Sequence, residues 1–131
     1  MKKSVTLIEL IMVIVVIGII ATIAIPSMSR SNIIAKEGAA QSNLRIISAA
    51  IENFGTVNNG NYPTAEANLT GATPPYLSQS FCNNSVGGYT FACTLAADSY
   101  TIVATPNSCG ATGSTIYTIV TGGVLTNASC S

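Results

Sequence analysis

Residues Val5–Pro26 read VTLIELIMVIVVIGIIATIAIP. From Val5 to Ile25 the stretch carries a single charge, Glu9. As an α-helix rising about 1.5 Å per residue it is roughly 30 Å long, the hydrocarbon thickness of a bilayer. It is therefore expected to be a membrane-spanning helix. A charged group at the centre of such a helix costs about 2.5–3.5 kcal/mol on insertion scales, and less towards an end, where Glu9 lies. An ionisable residue in that setting reads first as functional. Its plain alternative is a carboxylate that snorkels to the headgroups.

Working outward to the N-terminus, Met1–Ser4 is too short to fold, and its content is Lys2, Lys3 and a small residue. Basic residues ahead of an apolar helix hold that end in the cytoplasm, so everything after Pro26 is expected on the far side of the membrane. A secretory signal peptide shares this layout, with Thr22 and Ala24 imitating a small-residue cleavage site before Ile25. The length of the apolar run from Leu10 to Ile25, and Glu9 at its approach, weigh against that reading.

Working outward in the other direction, the pattern after Pro26 becomes one-sided. Ile33, Ala40, Leu44, Ile47, Ile51 and Phe54 recur at steps of three, four or seven, while Arg30, Lys36, Glu37, Gln41, Arg45, Ser48 and Glu52 fall largely elsewhere. This predicts an amphipathic helix over 27–55, with its apolar stripe covered by a sheet and Gly55 as its stop. Residues 56–80 are rich in Asn, Gly, Pro and Thr and read as a long loop. Beyond it, Tyr89–Thr94, Tyr100–Thr105, Thr115–Thr121 and Val124–Thr126 are β-branched or aromatic runs, predicted as antiparallel strands with a Gly122–Gly123 hairpin turn. The expected class is thus α+β: a long N-terminal helix whose second half packs on a small antiparallel sheet. The expected organisation is a leader at 1–4, an apolar helix at 5–26, an amphipathic helix at 27–55 and a sheet head at 56–131.

Cys82, Cys93, Cys109 and Cys130 all lie in the last 50 residues, with no C-x-x-C pair and no histidine in the chain. Disulfides formed across the membrane are expected, and they would help a head too small for a large core. If Thr121 faces Val124 in the hairpin, Thr115 lies opposite Cys130, at the end of the sheet that carries Cys109. That favours Cys109–Cys130, leaving Cys82–Cys93, although four cysteines allow three connectivities.

Chemistry-bearing constellations are sparse. The acids of the head, Glu37, Glu52, Glu66 and Asp98, form no close pair in sequence, and Lys36 on a solvated helix face is a poor base for a hydroxyl nucleophile. The glycines lie at turns and build no phosphate loop. The formal net charge of zero offers no footprint for nucleic acid. No catalytic role, metal or cofactor is expected.

VTLIEL followed by the apolar run, with Gly18 and Ile25-Pro26, resembles the N-terminal segment of type IV pilins and type II secretion pseudopilins. The resemblance is strong over Lys3–Pro26 and fainter beyond, where NGNYPT at 59–64 is only loosely similar. Ser4 stands where the family usually has glycine, and Val5 where phenylalanine is frequent.

The resemblance implies cleavage between Ser4 and Val5 by a prepilin peptidase, N-methylation of Val5, and a precursor held in a bacterial inner membrane. It also implies extraction by pilus or secretion machinery into a helical homo-oligomer, an extracellular pilus, whose core is the apolar helices. In that filament Glu9 would face the Val5 amine of a neighbour, and Gly18 through Pro26 would loosen. Two alternatives stay open. One is a pseudopilin of a periplasmic pseudopilus, although the acidic calcium loop of the major pseudopilins is missing. The other is a secreted or membrane-tethered binding module stapled by disulfides.

Overall fold

The computed structural model describes residues 2–131. Met1, part of the expected leader, lies outside the described residues. Residues 2–6 take no regular secondary structure, and helix α1 then runs over Leu7–Val57, 51 residues with Pro26 inside it. By compactness the chain divides at Asn32/Ile33. The second unit runs over Ile33–Ser131, so the C-terminal half of α1 belongs to the same compact unit as the sheet, and that unit is called the head below.

In the first unit the apolar side chains are exposed along the whole run, with Leu7 and Ile8 each 76% and Ile23 71% exposed. A helix hydrophobic on every side and buried on none needs a lipid or protein surround. By length and composition it can cross a membrane, with none of its most apolar window buried within the chain. The helix passes through both Gly18 and Pro26. Pro26 has no amide hydrogen to donate to the Thr22 carbonyl, and one turn earlier the Thr22 hydroxyl donates to the Ile19 carbonyl at 2.7 Å.

In the second unit α1 lies against one five-stranded antiparallel sheet with strands in chain order. The strands are β1 (Ser85–Val86), β2 (Tyr89–Leu95), β3 (Tyr100–Pro106), β4 (Thr115–Val120) and β5 (Val124–Ser129). Ala40, Leu44, Ile47 and Ile51 of α1 share a core with Tyr89, Phe91, Tyr100, Ile102, Ala104, Tyr117 and Ile119 of the sheet. Helix α2 (Ala67–Thr70) brings Leu69 into this core, and the loop after it adds Leu77 and Phe81. Strand alternation sends the other set outward: Thr90, Ala92 and Thr94 on β2; Thr101, Val103 and Thr105 on β3; Ile116, Thr118 and Val120 on β4; and Val124, Thr126 and Ala128 on β5.

Three expectations are corrected. Gly55 does not end the helix; it is buried, and a Cβ there would press on the Tyr62 ring at 3.1 Å, so it is a packing position. The stop falls at Asn59 and Gly60, which adopt positive φ, with the Gly60 amide donating to the Gly55 carbonyl. The last hairpin closes over Thr121–Gly123, with Val120 opposite Val124, so Thr115 faces Ser129 and not Cys130. A one-residue slip exchanges the two faces of a strand. Here it sets Leu125 towards the core and Val124 outward. Finally, Ser48 and Glu52, set apart from the apolar stripe in sequence, share the sheet-facing side of α1 with it, where both bond to Tyr100.

Candidate functional site

The first turn of α1 is built by Thr6 and Glu9. The Glu9 amide donates to Thr6 Oγ1 at 3.3 Å, while the Thr6 amide and hydroxyl donate to Glu9 Oε2 at 3.3 and 3.2 Å. This reciprocal pattern is a capping box, in which residues three apart satisfy each other's free donors at a helix start. The negative charge also sits at the positive end of the helix dipole. Glu9 therefore has a local structural partner, and its Oε1 accepts no bond within the chain among the described residues. Thr6 was not singled out from the sequence, although the spacing Thr6-x-x-Glu9 is the capping-box signature.

Ser4 and Val5 precede this turn and are exposed, Val5 to 72%. Ser4, Val5 and Glu9 thus lie within one short segment at the start of α1. Gly18 and Pro26 follow along the same helix, and a Cβ at Gly18 would meet nothing within 4 Å. A segment with this layout presents an accessible peptide bond ahead of a helix and one carboxylate in its first turn.

The four cysteines belong to the head, where the structure joins Cys82 to Cys93 and Cys109 to Cys130. The second bridge closes the sheet end, next to the bond from the Cys130 amide to the Ser114 carbonyl. Although the register expected from sequence was one residue off, Cys130 still reaches the β3–β4 loop, because it lies just beyond the paired strand.

The acids of the head act as acceptors that tie elements together. Glu52 Oε1 accepts from the Tyr100 hydroxyl at 2.8 Å and the Gly122 amide at 3.0 Å, and its Oε2 accepts from the Tyr62 hydroxyl at 3.2 Å. Glu37 Oε1 accepts from the Ser114 amide at 2.8 Å and the Ser114 hydroxyl at 2.7 Å. Those bonds, the backbone one foremost, hold the Glu37 carboxyl below its usual range. Glu66 Oε1 accepts from the amides of Phe81 and Cys82, and its Oε2 from the Ser80 hydroxyl. Burial pushes the Tyr89 and Tyr100 phenols up to about 12 each. Among the described residues no three acids or cysteines converge as metal ligands.

Comparison with protein-family models, with curated proteins and with solved structures returns no match.

Proposed function

We propose that this chain is a structural subunit of a type IV pilus-like filament, made as a membrane-anchored precursor and assembled through α1. One observation carries the reading: a helix apolar on all sides, exposed throughout, with a lone carboxylate in its first turn and a disulfide-closed head at its other end. The apolar run first sits in lipid and then among its own copies. Cleavage between Ser4 and Val5 removes Lys2 and Lys3 and creates the amine that Glu9 of a neighbour pairs with. Pairing offsets the desolvation of both groups, and removing one partner of such a buried pair commonly costs about 3–5 kcal/mol. The capping box supports this role, because it holds the Glu9 carboxylate at the helix start until a neighbour's amine competes for it. The head, with its polar loops and threonine-rich sheet face, forms the outer surface.

The test is mass spectrometry of sheared surface fibres. The expected subunit begins at a methylated Val5. A mature chain beginning at Ile25 would overturn the proposal in favour of a cleaved signal peptide. Recovery of the Val5 form only from periplasmic fractions would place the chain in a pseudopilus.

A further inference from the structure

The two bridges of the head hold strands that need them to different degrees. Strand β2, tied by Cys82–Cys93, buries Tyr89 and Phe91 completely and pairs with β3 along its whole length. The chain at Cys82 is also held by other means: Phe81 lies in the core, and the Phe81 and Cys82 amides donate to Glu66 Oε1. Burial of large aromatic rings offsets the cost of ordering that strand. Breaking Cys82–Cys93 therefore leaves β2 in place.

Strand β5, tied by Cys109–Cys130, has no such support. It is an edge strand paired only with β4, and Leu125 alone of its side chains is half-buried against the core, the others being exposed. Its ladder bonds exchange for bonds to water with little net gain, and one half-buried leucine does not offset the backbone freedom lost in ordering the strand. What keeps β5 on the sheet is the covalent closure at its end, which removes conformations from the detached strand.

The same bridge is the one open to attack. Of the four cysteines Cys109 alone is exposed, and it sits in the β3–β4 loop beside Gly110, where an added Cβ would meet nothing within 4 Å. At the other end of β5 the turn has its own tie, the Gly122 amide donating to Glu52 Oε1 at 3.0 Å, and Gly122 and Gly123 both take positive φ. The turn is a fixed pivot, and the bridge is a removable pin.

We infer that Cys109–Cys130 is a redox latch: a dithiol reductant opens it and β5 leaves β4, pivoting at Gly122–Gly123, while β1 to β4 keep their pairing. A thiolate of the reductant attacks the exposed Cys109 sulfur, and the S–S bond breaks with Cys130 leaving as a thiolate. The second thiol of the reductant then displaces Cys109 from the mixed disulfide. The reductant is oxidised to its own disulfide, and its two protons end on Cys109 and Cys130. Release makes β4, TIYTIV, the new edge of the sheet. The latch is a property of the head and does not depend on filament assembly.

Two measurements on the full chain in phospholipid micelles test this. In a dithiothreitol titration with iodoacetamide trapping and peptide mapping, Cys109 and Cys130 should be alkylated at a roughly tenfold lower dithiothreitol concentration than Cys82 and Cys93. The second measurement is residue-resolved amide hydrogen exchange. The Cys130 amide donates to the Ser114 carbonyl, and pairing alternates along an antiparallel ladder, so the Thr126 and Ala128 amides point into β4. In the chain carrying Cys109→Ser and Cys130→Ser these two amides should exchange roughly tenfold faster than in the parent, with Ile102 and Val103 of β3 at parental rates. Parental protection at Thr126 and Ala128 in that variant would overturn the latch. So would acceleration that reaches Ile102 and Val103, which would make the bridge a support of the whole head, and so would reduction of Cys82–Cys93 first.

Discussion

The Tyr100 hydroxyl donates to Glu52 Oε1 at 2.8 Å, joining the middle of the sheet to the amphipathic half of α1. Since its one proton is committed there, the 2.7 Å contact with Ser48 is a bond that the serine donates. The Tyr100 ring is buried and meets the Tyr62 ring edge-on at 5.2 Å, and Tyr62 donates to the same carboxylate. Glu52 thus collects a β3 tyrosine, a loop tyrosine and the hairpin amide of Gly122 on one helix position.

Tyr100→Phe should destabilise the head by about 1.5–3 kcal/mol, the range for a hydrogen bond to a charged group, and towards its lower end because Glu52 is only partly buried. Urea unfolding followed by near-ultraviolet circular dichroism of the tyrosines measures this. Asp98→Ala, an exposed change, serves as the reference and should stay within about 0.5 kcal/mol of the parent. Equal stabilities for Tyr100→Phe and the parent would remove Glu52 as a helix–sheet tie.

Glu37 makes the head sensitive to acid. Its folded carboxyl titrates below the ordinary 4.5 because the Ser114 amide and hydroxyl donate to the ionised form. The stabilisation is therefore complete above pH 4.5 and is lost as the pH falls through the lower folded value. Thermal melting between pH 6 and pH 3 should show a smaller decline for Glu37→Gln than for the parent. Parallel curves would show that another group is responsible.

Peptide mapping without reduction should recover Cys82 linked to Cys93 and Cys109 linked to Cys130. Replacing Cys109 and Cys130 together by serine should cost about 3 kcal/mol on the chain-entropy argument for a separation of 21 residues. Chemical denaturation of the double variant checks the size of the loss. A Cys82–Cys130 peptide would refute the sheet order.

For the assembly proposal, Glu9→Ala and Thr6→Val separate two roles. Thr6→Val removes the hydroxyl of the capping box at about 1 kcal/mol of helix stability and keeps the carboxylate. It should still form fibres. Glu9→Ala should leave the chain in the membrane fraction and reduce fibres sharply, as seen by electron microscopy of sheared material. Normal fibres from Glu9→Ala would eliminate the pairing of Glu9 with a Val5 amine.

Much of the fold was legible because its signals are local. All-round hydrophobicity marks Val5–Ile25, a one-sided stripe marks Leu44, Ile47 and Ile51, and β-branched runs mark β2 to β5 within a few residues. The misreadings have a common cause. Ser48, Glu52 and Glu37 were set apart from the apolar stripe by polarity alone, whereas a polar side chain turns towards the sheet when a donor from a distant segment meets it. Those donors, on Tyr100, Tyr62, Gly122 and Ser114, lie up to 77 residues away. Gly55 was read as a stop because glycine ends helices; the Tyr62 ring packed upon it explains it otherwise. α2 and β1, at four and two residues, carry no periodicity to detect.

By itself the sequence determined that this chain has an apolar helix able to span a bilayer, a lone carboxylate at its start, and a cysteine-bearing β-rich head, since composition and periodicity act over a few turns or one strand. Only the tertiary structure decided the hairpin register, the disulfide partners, the acceptors of the buried hydroxyls and the open edge at β5. Each of these depends on which distant backbone groups come within about 3 Å of one another, and hydrogen bonds are short enough that a shift of one residue changes every partner.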